Sequence, residues 1–220
     1  MTKLQEFKAL DTWRHNPAIG CNFGKSNLCR LLIVGLSHYS PNADQIRDPK
    51  FTHNLLDEVI RGDVKIPYFS KIASLFQDPN GQLYSPAEFY PLVAFYNYLP
   101  DHFKDPKLPI REDLYTTEST VEFFYMVLKE IKPTHVLITG KSLWRMLPST
   151  PQPKPEKNLK LPLSGNLHAD ERHAWWYPTG GDNHALVAGI YHPSSFSFNA
   201  KEIRQWTPNF LRYSEKANYV

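Results

Sequence analysis

The sequence has 220 residues, of which 41% are hydrophobic and 21% charged, and its formal net charge is +3. These ordinary values exclude wholesale disorder and allow one large domain, which we expect to span residues 1–220. No apolar run approaches the roughly 20 residues that cross a bilayer, and the N-terminus lacks the apolar segment of a signal peptide. We therefore expect a soluble cytoplasmic protein without a membrane partner.

Cys21 and Cys29 are the only cysteines in the chain. Two thiols cannot supply a disulfide framework, a four-thiolate zinc site or an iron–sulfur cluster. We expect no metal and no organic cofactor. The modest positive charge permits nucleic-acid binding without requiring it, since dedicated electrostatic binders carry denser clusters of lysine and arginine.

The first half of the chain predicts two buried strands with helices between them. Residues 30–36 (RLLIVGL) form an apolar run that ends in a polar turn, and residues 92–98 (LVAFYNY) form a second run. Runs that are apolar on both faces are typical of parallel strands covered by helices. Helical periodicity predicts helices over 52–61 and 68–76.

The alternation of helix and strand continues in the second half. Residues 119–131 predict a helix that begins with a capping box of Ser119 and Glu122. Residues 135–140 (HVLITG) predict a third buried strand, and residues 142–146 predict a short helix after it.

A proline-rich stretch and a hairpin follow. Residues 148–162 contain five prolines and no apolar periodicity, which predicts an extended surface loop. The aromatic residues 175–177, a Gly-Gly turn and the apolar run 184–191 predict a hairpin at a sheet edge. Strands that alternate with helices predict an α/β fold, a three-layer α/β/α sandwich with a short, mostly parallel central sheet.

Polar and aromatic side chains follow the predicted strands, where open α/β sheets bind ligands. The segments are GLSHYS at 35–40, FYNYLP at 95–100 and HPSSFS at 192–197. The third strand runs into Gly140-Lys141-Ser142, a structural turn that opens a helix and offers Lys141 to a phosphate. The side chains able to hydrogen-bond a planar heterocycle, or to offer it a ring face, are Asn97, His192, Ser37, His38, Tyr39, Phe51 and Phe196.

This series of motifs resembles the uracil-DNA glycosylase superfamily. That family has a water-activating loop after its first strand, an asparagine that reads the base edge after a middle strand, and an HPS-type loop after its last strand. The order and approximate spacing agree from Arg30 to Phe198, and the Phe-Thr pair at 51–52 stands where one branch has Phe-Ser. The resemblance implies an enzyme that hydrolyses the N-glycosidic bond of uracil or another deaminated base in DNA.

The resemblance also implies a role for each matching residue at the base. Asn97 would hydrogen-bond the Watson–Crick edge of an extruded base, because its amide offers donors and an acceptor. His192 would face O2 of the base and stabilise the negative charge that develops as the glycosidic bond breaks. Phe51 would stack on the flipped ring, and Tyr39 would exclude larger or methylated bases.

Other matching residues would contact the DNA around the extruded base. Phe196 lies at the family's wedge position, where an aromatic ring could fill the gap left by the flipped nucleotide. Ser194 and Ser197 would touch phosphates. The expected partner is therefore DNA that carries a damaged base, in single- or double-stranded form, bound by a monomer.

The first motif departs from the family because it has no carboxylate. Leu36 and Ser37 stand where the family branches carry Asp or Glu, and only His38 could then activate water near neutral pH. This departure favours an alternative function, a catalytically impaired member that binds nucleic acid or a nucleotide without cleaving it. A third interpretation is an unrelated hydrolase that uses Ser37 and His192, although the second glycine of a nucleophile elbow is missing.

Ordinary structural roles compete with each of these assignments. His192 could cap a strand, and Asn97 could be a turn residue before a proline. Tyr39 and Phe51 could be core aromatics, and Phe196 could pack under its own loop.

Overall fold

The computed structural model describes residues 4–5, 15–39, 48–105, 112–149, 154–163 and 172–213. Ten strands lie in this part of the chain: β1 (Leu4–Gln5), β2 (Ala18–Gly20), β3 (Leu31–Gly35), β4 (His38–Tyr39), β5 (Ala94–Asn97), β6 (His102–Phe103), β7 (His135–Thr139), β8 (Lys154–Lys160), β9 (His173–Gly180) and β10 (Asn183–Ile190). The helices are α1 (Phe51–Arg61), α2 (Pro67–Ala73), α3 (Pro86–Phe89), α4 (Glu118–Ile131), α5 (Lys141–Arg145) and α6 (Ala200–Arg212), with 3₁₀ turns at Tyr90–Leu92 and Glu112–Thr116.

Eight of the described strands form one mixed sheet in the order β1-β2-β5-β3-β7-β10-β9-β8. The four central strands β5, β3, β7 and β10 pair in parallel, and the flanking strands on both sides pair antiparallel. The α/β class and the parallel centre agree with the sequence prediction. The predicted short sheet was wrong, because antiparallel strands at both edges extend it to eight described strands.

The central strands are parallel and apolar because helices cover both of their faces. Every residue of β3 and β7 is buried. Neighbouring residues of a strand point to opposite faces. The ring of Phe95 lies 5.3 Å from Phe69 of α2, whereas the ring of Tyr96 lies 5.7 Å from Phe123 of α4. Helices therefore pack on both sides of β5, as a three-layer arrangement requires.

The predicted helices over 52–61, 68–76, 119–131 and 142–146 all form, with ends that differ by at most three residues. The predicted capping box was wrong, because α4 begins earlier than expected. Thr117 is the N-cap of α4, and its hydroxyl accepts a hydrogen bond from the Thr120 N–H. No helix in the described ranges is long and apolar enough to cross a membrane.

The region around 148–162 also differs from its prediction. Residues 154–160 form β8, the edge strand, so the predicted surface loop was wrong over these residues, and residues 150–153 lie outside the described ranges. The hairpin of β9 and β10 is present, but β8 covers β9, so the hairpin does not lie at the sheet edge. Proline and lysine in β8 suit an edge strand, because they hinder pairing with a further chain.

Helix α6 was not expected, because Pro208 interrupts its sequence. Proline cannot donate to the carbonyl four residues earlier, which here belongs to Arg204. The single hydrogen of the Thr207 hydroxyl is shared between that carbonyl oxygen at 3.1 Å and the Leu75 carbonyl oxygen at 3.0 Å. Ile203, Thr207 and Phe210 are buried on one face, so tertiary packing stabilises a helix that the proline alone would disfavour.

A two-stranded parallel sheet continues the pairing of β3 with β5. The Tyr98 N–H donates to the Gly35 carbonyl, and the Leu99 N–H donates to the Leu36 carbonyl. Beyond these bonds β4 pairs with β6. The segment after β3 is thereby held along the segment after β5.

Protonation of His135 is expected to destabilise the protein below neutral pH. The His135 ring is buried at the start of β7, where Nε2 donates to the Tyr213 carbonyl and the ring edge packs 5.0 Å from Phe210. Burial lowers the pKa of His135 from 6.5 to about 4. Between these two values the unfolded chain binds the proton and the folded chain does not, so the free energy of unfolding falls as the pH drops.

We expect this one group to lower the free energy of unfolding by about 2 kcal/mol between pH 7 and pH 5. His135→Gln keeps an N–H donor without a titrating ring and should flatten that dependence in urea unfolding. Asn209→Gln, at an exposed position of α6, removes no titrating group and is the control that should retain the wild-type slope. Equal slopes for His135→Gln and wild type would contradict the assignment.

Candidate functional site

The amide of Asn97 lies directly over the backbone of Gly35. These residues end β5 and β3 and are register partners in the parallel pair. A Cβ on Gly35 would stand 2.2 Å from Asn97 Oδ1, so only glycine leaves room for the amide. Asn97 is 7% exposed, and its amide makes no hydrogen bond with the residues that the structure describes. Its amide atoms are not among the fully buried polar atoms that lack a partner, so water reaches them and a ligand could replace that water.

Tyr68 of α2 reaches the same point above Gly35. Its hydroxyl oxygen lies 3.3 Å from the position of the missing Cβ and 2.7 Å from Thr139 Oγ1 at the end of β7. Thr139 donates its single hydroxyl hydrogen to the Val34 carbonyl, so Tyr68 must be the donor to Thr139. Burial raises the pKa of Tyr68, which keeps this hydroxyl protonated.

His192 follows β10 and stacks on Tyr68, with ring centroids 5.4 Å apart and planes 29° apart. Its Nδ1 accepts a hydrogen bond from the Ser194 N–H at 3.2 Å, and the Ser194 hydroxyl lies 2.7 Å from the same nitrogen. Because a nitrogen that accepts from a backbone N–H carries no proton, the proton of the neutral ring is on Nε2.

The charge state of His192 follows from its surroundings. Burial, and then the positive charge of Lys71, lower the pKa of His192 below its usual 6.5. The Lys71 ammonium donates to the Pro193 carbonyl at 2.8 Å, which holds it beside the ring. The imidazole is therefore neutral at pH 7 and presents Nε2–H as a donor.

The structure thus brings Asn97, Tyr68 and His192 together at the carboxyl edge of the parallel strands, where α/β sheets bind ligands. The sequence predicted Asn97 and His192 and missed Tyr68. Its position in the chain could have indicated Tyr68. It is the second residue of α2, and helices that connect parallel strands begin near the carboxyl edge of the sheet.

The polar side chains of the loop after β3 are engaged within the protein. The Ser37 hydroxyl donates to the Asp101 carbonyl at 2.6 Å. Its single hydrogen is therefore not directed at His192, which contradicts the interpretation as a Ser37–His192 hydrolase. His38 is buried, and its Nε2 lies 2.8 Å from the Thr52 hydroxyl.

Burial, followed by the neighbouring His15 and His102, lowers the pKa of His38 well below 6.5. Phe51 packs in this histidine cluster, with its ring centroid 4.8 Å from His38 and 4.5 Å from His102. Within the described ranges, no group of histidine, cysteine or acidic residues could hold a metal ion. The cluster is therefore a packed layer beneath the loop.

Tyr39 lies on the outer side of this loop. Its side chain is 38% exposed, and its nearest ring neighbour is Phe103 at 6.3 Å. Among the described ring contacts, none joins Tyr39 or Phe51 to Tyr68 or His192. The predicted roles of Tyr39 and Phe51 at a bound base remain predictions.

The HPSSFS segment presents an exposed aromatic ring. Phe196 is fully exposed, so the alternative that it packs under its own loop was wrong. Two backbone bonds fix the turn, from the Ser195 N–H to the His192 carbonyl and from the Phe198 N–H to the Ser195 carbonyl. A rigid turn therefore carries Phe196 in solvent.

Other residues predicted to contact phosphate lie at the same edge of the sheet. Ser197 is exposed, and its N–H donates to the Ser195 hydroxyl. The Ser194 hydroxyl contacts His192 instead of standing free. Lys141 is the first residue of α5 and is half-buried, and the Gly140 N–H before it donates to the Ile190 carbonyl at the end of β10.

No protein-family model matches the sequence, and a comparison with curated proteins gives no match either. The functional argument therefore rests on the residues of the site and their geometry.

Gly35→Ala tests the close approach of Gly35 and Asn97. The added methyl group would displace the amide and should lower the free energy of unfolding by about 1–3 kcal/mol. In an Asn97→Ala background the same methyl group has room, so the loss should largely disappear in urea unfolding. Losses that add in the double variant would show that Asn97 does not lie over Gly35.

Proposed function

We propose that the protein recognises a base extruded from DNA at Asn97 and His192 and hydrolyses its N-glycosidic bond, with uracil or another deaminated base as substrate. The observation that carries the proposal is the amide of Asn97, which makes no hydrogen bond with a described residue and lies at the same edge of the sheet as the neutral His192. The proposal includes the fold of the uracil-DNA glycosylase superfamily, which the motif order and the parallel strand centre support.

Asn97 would provide the recognition. Its carboxamide has an acceptor oxygen and a donor nitrogen, which complement N3–H and O4 of a pyrimidine. A base that bonded to both would replace the water at this accessible amide with two directed hydrogen bonds. The register of β5 on β3 holds the amide in position before the base arrives.

His192 would provide the stabilisation of the leaving group. As the bond between the sugar C1′ and the base nitrogen breaks, the electron pair leaves with the base, and negative charge spreads to its carbonyl oxygens. The Nε2–H of a neutral imidazole would donate to O2 without giving up its proton. A water molecule adds to C1′, and the proton that it loses returns the base to its neutral form.

DNA as the partner is supported by Phe196. A fully exposed ring gains nothing in the folded core, and it suits insertion between base pairs. The ring lies four residues after His192, so insertion would occur next to the site of extrusion. Lys141 and Ser197 would contact the phosphates that flank this position.

A second candidate function is binding of the base without cleavage. The specific observation is that the loop at 35–39 has no carboxylate and that Ser37 and His38 both bond to other parts of the protein. Neither is presented to a water molecule in this arrangement. Cleavage would then depend on the stabilisation of the leaving base by His192, without a residue of this loop that activates water.

Base release from oligonucleotides tests the proposal. Single- and double-stranded DNA carrying uracil, hypoxanthine or xanthine should release the base at low salt, and His192→Ala and Asn97→Ala should each lower the single-turnover rate by about 100-fold or more. His53→Ala and Asn209→Ala are matched controls at partly or fully exposed positions. Release that persists unchanged in His192→Ala would overturn the assignment.

Phe196→Ala tests the contact with DNA. Because the ring is fully exposed, the variant should keep the wild-type free energy of unfolding but bind duplex DNA about tenfold more weakly. Leu83→Ala, at another exposed apolar side chain, should bind as wild type. Salt-sensitive binding without base release supports the second candidate, and no binding by wild type contradicts both.

A further inference from the structure

The proposed reaction depends on the orientation of the His192 ring, and α2 contributes two contacts to it. Tyr68 stacks on the imidazole, and Lys71, one turn further along the helix, donates to the carbonyl of Pro193. The Ser194 N–H and hydroxyl contact Nδ1 from the loop of His192 itself. The imidazole is thus held between its own loop and one short helix.

The hydroxyl of Tyr68 anchors the stacked ring to the sheet. It donates to Thr139, and Thr139 donates to the Val34 carbonyl, so a directed chain of two hydrogen bonds connects α2 with β7 and β3. Every hydrogen of this chain is used. Tyr68 is also enclosed by Phe69 at 5.2 Å and Phe95 at 6.2 Å, which leaves its ring little freedom to turn.

We propose that Tyr68 is a positioning residue of the site: its ring orients the His192 imidazole, and its hydroxyl ties that orientation to β7 and to β3, the strand whose Gly35 lies beneath the Asn97 amide. This inference rests on the proposed function. Tyr68 acts through His192, and its oxygen sets the distance at which the two polar groups face a base. The sequence motifs did not include it.

The Tyr68–Thr139 bond makes a defined set of variants possible. Tyr68→Phe keeps the stack and removes the anchor, and Thr139→Val removes the same bond together with the bond from Thr139 to the Val34 carbonyl. Tyr68→Leu removes both the stack and the anchor. Tyr90→Phe is the matched control, because its buried hydroxyl donates to the Phe69 carbonyl next to Tyr68. Phe76→Leu is a control for the loss of a buried ring that stacks on Phe89.

The first readout is the titration of the His192 ring followed by NMR, with the resonance assigned by its absence in His192→Ala. Tyr68 and Lys71 face the ring from α2, and Ser194 faces it from its own loop. In Tyr68→Leu water reaches one face of the ring, so the pKa of His192 should rise toward 6.5. Tyr90→Phe and Phe76→Leu should leave the titration unchanged.

The second readout is the single-turnover rate of base release. Tyr68→Leu should lower the rate by about 10- to 100-fold, and Tyr68→Phe by less than about tenfold, with little change in DNA affinity. The effects of Tyr68→Phe and Thr139→Val should not add in the double variant, because Thr139→Val already removes the bond that Tyr68→Phe removes. This pair also tests the inference if Tyr68→Leu does not fold.

The outcomes for the two proposals are distinguishable. A wild-type protein that releases no base contradicts the proposed cleavage, while the His192 titration still reports whether Tyr68 holds the ring. An unchanged titration in Tyr68→Leu, or equal shifts in Tyr90→Phe and Phe76→Leu, would overturn the positioning role. Additive effects of Tyr68→Phe and Thr139→Val would overturn the anchor.

Discussion

Parallel pairing of the four central strands is the constraint on which the candidate site depends. Parallel strands end at one edge of the sheet, so residues that are far apart in sequence meet there. Gly35, Asn97, Thr139 and the segment after Ile190 lie at that edge. These strands are buried, so their pairing cannot slip. A shift by one residue would turn every side chain to the opposite face of the sheet.

The polar groups at this edge fall into two sets, those that hydrogen-bond within the protein and those that do not. Thr139, Ser194 and Ser37 direct their hydrogens within the protein, and Tyr68 joins them through Thr139. The amide of Asn97 is not satisfied in this way. The satisfied groups form a rigid frame, and the unsatisfied amide is the part of the frame that a ligand can complete.

Prediction and structure agree where the signal lies within a short segment, and they differ where contacts between distant segments decide the conformation. The strands and the helices between them were predicted, because apolar runs and helical periodicity are local signals. Strand β8 and helix α6 were missed, since prolines in both sequences favour loops. Packing of Phe210 and Thr207, and pairing of β8 with β9, override that local preference. The capping box failed because Thr117 and Ser119 offer similar hydroxyls two residues apart.

By itself, the sequence determined the α/β class, the order of the central elements and the polar residues Asn97 and His192 that follow the strands. These properties depend on patterns within short segments, which a linear chain displays directly. Only the tertiary structure decided that Ser37 and His38 bond into the protein, that Phe196 stands in solvent and that Tyr68 holds His192. Those outcomes depend on which distant groups come together in the folded chain. No pattern within a short segment specifies these contacts.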